Sequence, residues 1–336
     1  MGPRRDVRRV EQGERTLPRI LITGVGGFVG RHALRALAEA QAPGDALAGL
    51  DLHISKAAPE GAILAAIDLL DRDGLSRFVA GFAPTHILHL AGLSSVSQAG
   101  GSPAETWQAN VVGLLNLAEA VIAGAPGSTL LFASSGEVYG RAFLAGTALD
   151  ERTVPMPANT YARTKLAGER LLADVLPAAG IRSVALRPFN HIGPGQDERF
   201  VVASFACQIA RIEAGLSEPV LEVGDLSARR DFLDVGDVVA AYAAVIRRTD
   251  DFETASIFNV GSGRARPISE LLDGLRERAR VPFEIRIATD RLRPSEIPTA
   301  SGDASALTRA TGWQPRIALA NSLARILDEA RTRIQS

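Results

Sequence analysis

The sequence predicts an α/β protein, a doubly wound and mainly parallel sheet followed by a smaller C-terminal α/β lobe. Three observations carry that prediction. Apolar runs of strand length alternate with longer runs of helical character from Arg19 to Leu186, and such βα alternation implies parallel strands with helices on both faces. A glycine-rich turn follows the first apolar run. Tyr161 and Lys165 stand four residues apart in a helical segment, so one turn of helix puts both side chains on one face.

Taken in order, the strand Arg19–Thr23 runs into Gly24-Val25-Gly26-Gly27-Phe28-Val29-Gly30, and a helix over Arg31–Gln41 follows. Without a Cβ, Gly24 and Gly27 permit a tight turn and let backbone approach a pyrophosphate. The helix N-terminus then binds the anion. This is the start of a Rossmann-type fold. The next strand, Ala46–Leu50, ends in Asp51, twenty-one residues beyond Gly30. A carboxylate there accepts from both ribose hydroxyls and repels a 2′-phosphate, which favours NAD(H). NADP(H) stays possible because His53 and Lys56 lie close by in sequence.

Strand Ala62–Ile67 leads to Asp68-Leu69, where Asp68 can meet the adenine amino group or cap the following helix. Strand Thr85–Leu90 runs into Ala91-Gly92, whose small residues leave room for a cofactor. Pro103–Ala123 reads as a helix carrying Asn110. Strand Thr129–Ala133 ends in Ser134-Ser135-Gly136-Glu137, and strand Ser183–Leu186 follows the Tyr161 helix. Ligands in such sheets bind at carboxyl ends of strands, and the glycine turn, Asp51, Ser135 and Glu137 all fall there.

From Arg187 the pattern loosens into a turn-rich loop ending at Gln196, then a helix over Phe200–Ala214 and a short strand over Pro219–Val223. The charged stretch Gly224–Phe232 that follows is one of the cationic loops. Asp234–Arg248 reads as a helix, Ser256–Val260 as a strand returning to the main sheet, and Asp303–Gly312 as a further helix. The domain division expected is a tail over 1–17, a cofactor domain over 18–188 with 234–262, and a substrate lobe over 189–233 with 263–336. Its cationic loops imply closure over an anionic substrate.

Composition narrows the class. The 336 residues carry a formal net charge of −1, with no block of like charge that would make an arm for nucleic acid. No apolar run reaches the ~18–20 residues that span a bilayer. Met1–Pro18 mixes Arg and acidic residues without an apolar core, so a mobile tail on a cytoplasmic protein is expected. The single cysteine, Cys207, has no disulfide partner within the chain and no companion for a Cys-based metal site; its apolar surroundings place it in a core. No metal site is expected.

Three motifs in fixed order (the glycine turn, Ser135 at a strand end, and Tyr161-x-x-x-Lys165) resemble those of the extended short-chain dehydrogenase/reductases, the NAD-dependent epimerase/dehydratase family. The loop at Arg187, the Gly224–Phe232 stretch and Arg291-Leu-Arg-Pro-Ser-Glu296 are similar to the GDP-mannose branch, which contains GDP-mannose 4,6-dehydratases and GDP-4-keto-6-deoxy-mannose reductases. The resemblance implies a cofactor site lined by Gly24, Gly27, Phe28, Val29, Gly30, Asp51, Asp68, Leu69, Leu90, Ala91, Gly92, Asn110, Ala133, Tyr161, Lys165 and Arg187. It implies a GDP-sugar held by Ser94, Asn190, Val201, Asp225, Arg230, Arg293 and Glu296, with the two arginines clamping the diphosphate. Tyr161 then exchanges a proton with the sugar oxygen at carbon 4, Ser135 hydrogen-bonds it, and Lys165 lowers the phenol from its usual pKa of about 10.

Two departures stand out. Asp225 replaces the relatives' Asn and can serve guanine or a turn, and Ala158-Asn159-Thr160 replaces a frequent Ser-Pro before the tyrosine. Glu137 divides the activities. A dehydratase needs such a carboxylate to take the proton from carbon 5, whereas a reductase needs only a hydride and one proton. Ser135 and the short approach to Tyr161 resemble the reductases, so reductase is the favoured reading. A dehydratase, a 4-epimerase and a non-catalytic nucleotide-binding protein are the alternatives. The resemblance also implies a homodimer through the helices at Pro103–Ala123 and Asn159–Ala179.

Overall fold

The computed structural model describes residues 18–54, 59–94, 101–289 and 297–335. Its strands are β1 Arg19–Thr23, β2 Ala46–Asp51, β3 Ile63–Ala66, β4 His86–His89, β5 Thr129–Ala133, β6 Arg182–Pro188, β7 Asn190–Ile192, β8 Val220–Val223, β9 Arg229–Asp234, β10 Ala255–Val260, β11 Ala265–Pro267, β12 Glu284–Ile287 and β13 Thr299–Ala300. Seven of them form one sheet in the order β10-β6-β5-β4-β1-β2-β3, with every neighbouring pair parallel. The strand order reverses between β1 and β4, which opens a crevice at their carboxyl ends.

The pleat explains why these strands read as unbroken apolar runs. Leu21, Ile87, Leu130 and Ala185 point to the layer that packs helices Arg72–Phe82 and Gly113–Gly124. Their chain neighbours Ile22, Leu88, Leu131, Val184 and Leu186 point to the layer that packs helices Phe28–Glu39 and Val235–Ile246. Successive side chains alternate faces, and both faces are covered, so most positions are apolar.

The helix expected over Pro103–Ala123 is interrupted. An α-helical start at Pro103–Trp107 passes through a π turn, Gln108–Val112, before Gly113–Gly124 resumes the α form. Asn110 lies in the π turn.

Beyond the main sheet lie two small sheets. β9 lies between β11 and β13 and also pairs with β7, while β12 pairs with β8. Helices Val201–Glu213, Ile268–Arg276 and Leu319–Gln335 enclose a core that includes Phe205, Leu271, Leu327 and the buried Cys207. β9 corrects the loop reading of Gly224–Phe232. Its charges hide a strand because Asp231 is fully buried and its carboxylate accepts from Ser262 N at 2.9 Å and Gly263 N at 3.0 Å. No described helix is long and apolar enough to cross a membrane.

Candidate active site

The glycine turn is fixed by contacts that leave no room for side chains. Gly24 has φ +78°, its N–H donates to Leu50 O at 2.7 Å, and a Cβ on it would stand 2.7 Å from Ala91 N. The loops after β1 and β4 therefore touch at the point where strand order reverses. A Cβ on Gly30 would lie 1.9 Å from Gly24 O. Gly27 supplies no side-chain cap to helix Phe28–Glu39, so its first-turn N–H groups suit an anion. Val29 packs on the core, and Phe28 stacks on His191 with ring centroids 6.0 Å apart.

Asp51 stands at the rim of this turn, its Oδ2 accepting from Gly26 N at 2.8 Å and its Oδ1 from Leu52 N at 2.7 Å. Each oxygen keeps a lone pair for a ribose hydroxyl. Arg31, which sequence reasoning passed over, donates to Gly26 O at 2.6 Å and to Gly195 O at 2.9 Å, tying the turn to the loop after β7. Asp68 is exposed and accepts from Leu70 N at 2.9 Å; the helix cap is Asp71, which accepts from Gly74 N at 3.0 Å. Leu69 is held through its carbonyl, which accepts from Asn116 Nδ2 at 2.9 Å.

Asn110 is a strut. Its Oδ1 accepts from Leu93 N at 2.8 Å, and its Nδ2 donates to Leu93 O at 3.2 Å and to Thr164 Oγ1 at 3.0 Å. Gly92, with φ +127°, has no space for a Cβ beside Asn110 Oδ1. The π turn thus links the Leu90–Ser94 loop to the Tyr161 helix. Ser94 is exposed on that loop. Below it, His89 is fully buried, hydrogen-bonded to Thr23 Oγ1 at 2.7 Å, and held to about 3 by burial and by the nearby Lys165 charge, so it is neutral.

Ser135, Tyr161 and Lys165 converge. Ser135 follows β5, while Tyr161 and Lys165 face the sheet from helix Thr160–Val175, all three buried. Lys165 Nζ donates to Ala133 O at 2.8 Å and lies 5.9 Å from the Tyr161 ring centroid. Burial lowers this lysine to about 8. The phenol departs from expectation. Burial pushes Tyr161 up to about 12, opposed by its hydrogen bond with Ser135 and reinforced by the Glu137 charge. Desolvation of the buried phenol is the largest of these effects.

Asn159, which the sequence reading noted only as a departure, caps the same helix. Its Oδ1 accepts from Ala162 N at 2.8 Å, and its Nδ2 stands 3.4 Å from Glu137 Oε2. Arg230, on β9, is lowered by burial, opposed by the Glu137 charge and by that of Asp225 in its own segment.

The remaining described candidates are placed as follows. The Arg187 guanidinium is buried in a bidentate pair with Glu169, at 2.9 and 2.7 Å, over the Tyr139 ring. The pair occupies Nε and Nη2 and leaves the buried Nη1 without a hydrogen-bond partner, so a place for Arg187 beside a cofactor is a proposal. Asp225 turns the chain, its Oδ1 accepting from Ser227 N at 2.8 Å, and those bonds hold its carboxyl below the usual range. Val201 opens its helix half-buried against the core that includes Phe205. Asn190 is exposed at the start of β7. Arg293 and Glu296 lie outside the described residues. Among those described, no group of three or more His, Cys, Asp or Glu can hold a metal ion.

A glycine turn at a strand-order reversal and a Ser-Tyr-Lys cluster at the same sheet edge define a nicotinamide-dependent oxidoreductase of the short-chain type, and the chain belongs to the NAD dependent epimerase/dehydratase family, matching it over residues 20–261. It is 39% identical over 317 residues to the GDP-6-deoxy-D-mannose reductase of Pseudomonas aeruginosa, covering 94% of this chain and 98% of that one. It superposes on the structure of RMD from Pseudomonas aeruginosa complexed with NADPH with a TM-score of 0.83, covering 94% and 99% of the two chains at 39% identity. The UDP-glucose 4-epimerase of Thermus thermophilus in complex with NAD gives a TM-score of 0.78 at 31% identity, covering 93% and 99%.

Proposed function

We propose that this chain is a nucleotide-sugar oxidoreductase that reduces the 4-keto group of GDP-4-keto-6-deoxy-mannose. The observation that carries the reading is the convergence of Ser135, Tyr161 and Lys165 in one buried cluster at the end of β5, in a chain 39% identical along nearly its whole length to a GDP-6-deoxy-D-mannose reductase. A bound nicotinamide supplies the hydride. Tyr161, protonated throughout the neutral range, donates its proton to the carbon-4 oxygen, and Ser135 gives a second hydrogen bond to the charge that develops there. Lys165 keeps a positive charge next to that oxygen.

The glycine turn, the uncapped first turn of helix Phe28–Glu39 and Asp51 fit a dinucleotide, since the backbone at Gly24 and Gly30 leaves no space for side chains. Asp51 favours NADH. NADPH is the second candidate, because the RMD structure from Pseudomonas aeruginosa holds it. Ser94, Asn190, Val201, Asp225, Arg230, Arg293 and Glu296 are the residues proposed for the GDP-sugar. We also propose a homodimer through helices Gly113–Gly124 and Thr160–Val175, a cytoplasmic location, and a boundary near residue 188 between the cofactor domain and the substrate lobe. Sedimentation at micromolar concentration tests the dimer.

Glu137 supports a second reading, a 4,6-dehydratase or 4-epimerase, because a carboxylate near Tyr161 is what proton removal at carbon 5 requires. Incubation with GDP-4-keto-6-deoxy-mannose plus NADH or NADPH, and separately with GDP-mannose alone, tests both. Oxidation of the reduced nicotinamide in the first mixture is expected. Conversion of GDP-mannose alone would favour the dehydratase instead.

A further inference from the structure

We propose that Asn159 is a positioning residue that determines reaction specificity, holding Glu137 as a substrate acceptor and withholding it from carbon 5. This rests on the reductase reading and explains how a chain that carries the elimination carboxylate is kept to reduction.

Capping decides which way the Asn159 amide points. Its Oδ1 accepts from Ala162 N at 2.8 Å, so that end faces the helix backbone. Its Nδ2 must then face outward, and it meets Glu137 Oε2 at 3.4 Å. One side chain therefore closes the catalytic helix and holds the carboxylate.

The glutamate backbone is equally confined. Glu137 N donates to Ser135 Oγ at 3.1 Å, and Gly140 N donates to Glu137 O at 3.1 Å. The turn packs closely on Phe189, since a Cβ on Gly136 would lie 3.2 Å from that ring. From β9, Arg230 feels the carboxylate charge. Glu137 is thus held at its backbone by Ser135 and contacted at its side chain by Asn159, with the Arg230 charge within electrostatic reach.

A base at carbon 5 has different needs. It must reach the C5–H, take that proton on a carboxylate oxygen, and let the C–H electron pair move into the carbon-4 carbonyl. An oxygen already accepting from an amide is less available to the C5–H.

The test uses the exchange half of that chemistry, which needs no hydride. The full-length protein is incubated with GDP-4-keto-6-deoxy-mannose in D2O without reduced nicotinamide, and deuterium at carbon 5 is followed by NMR. Asn159→Ser keeps an oxygen for the cap and removes the N–H donor; Asn159→Asp keeps the cap and sets a carboxylate against Glu137. Both are expected to raise C5 exchange about tenfold, the size of one lost hydrogen bond to a charged group. Adding Glu137→Gln to either should return exchange to the wild-type level. Wild-type exchange rates in both Asn159 variants would overturn the proposal, as would faster exchange that survives Glu137→Gln. Failure of the reductase reading shows up separately, as wild-type protein that leaves NADH and NADPH unoxidised with this sugar.

Discussion

The ammonium of Lys165 donates to the carbonyl oxygen of Ala133 at 2.8 Å. That bond ties the catalytic helix to the end of β5 and keeps the charge in a buried setting. Burial lowers Lys165 to about 8 while Tyr161 stands at about 12. The alkaline limb of kcat/KM is therefore expected near pH 8 and belongs to the lysine. Lys165→Arg, which does not titrate in this range, should remove the limb even where it lowers the rate. A pH profile of both proteins checks this. Stability follows the same group: its folded pKa lies below the unfolded value of about 10.4, so between about 8 and 10.4 its contribution improves as pH rises.

Tyr161→Phe should cut turnover by roughly 10²–10⁴-fold, the usual range for a lost general acid, with little change in nucleotide-sugar or NADH binding. Glu137→Gln should cost far less in a reductase, and about as much as Tyr161→Phe in a dehydratase. Because the Glu137 charge raises the phenol, the Gln variant should also ionise Tyr161 at lower pH. Steady-state rates on purified variants, with a spectrophotometric titration of tyrosinate, decide both points.

Asp51 sets the expected order of cofactors. Its carboxylate, fixed by Gly26 N and Leu52 N, repels a 2′-phosphate, so NADH should bind more tightly than NADPH. Asp51→Asn should narrow the difference. Calorimetric titration with each dinucleotide measures it, and tighter binding of NADPH to the wild-type protein would refute the ribose role of Asp51.

The Arg187–Glu169 pair is buried on both sides, with 2% and 3% of the two side chains exposed. Removing one partner leaves an uncompensated charge, and such losses run to ~3–5 kcal/mol. Glu169→Gln should therefore lower the thermal midpoint strongly. Glu169 also accepts from the Ser134 hydroxyl, next to the proposed catalytic serine, so activity should fall with it. A thermal melt and an activity assay on one variant read both effects.

Much of this was determined by the sequence alone. The strands β1, β2 and β5, the glycine turn, Asp51 and the Tyr161-Lys165 pair are local signals. Apolar runs covered on both faces, a turn that tolerates no Cβ, and a four-residue helical spacing can each be read from neighbouring residues.

What the tertiary structure decided involves partners far apart in the chain. Arg187 went into the core because Glu169, eighteen residues away on another element, neutralises it. Asp231 went into a strand because backbone N–H groups of Ser262 and Gly263 replace its water. The Tyr161 phenol rose instead of falling because burial among distant segments desolvates it. Asn159 became a link between helix cap and Glu137 only once the turn after β5 had been brought beside it. In each case the sequence supplied the charge or the donor. The fold chose its partner, because the cost of burying a polar group depends on what meets it there.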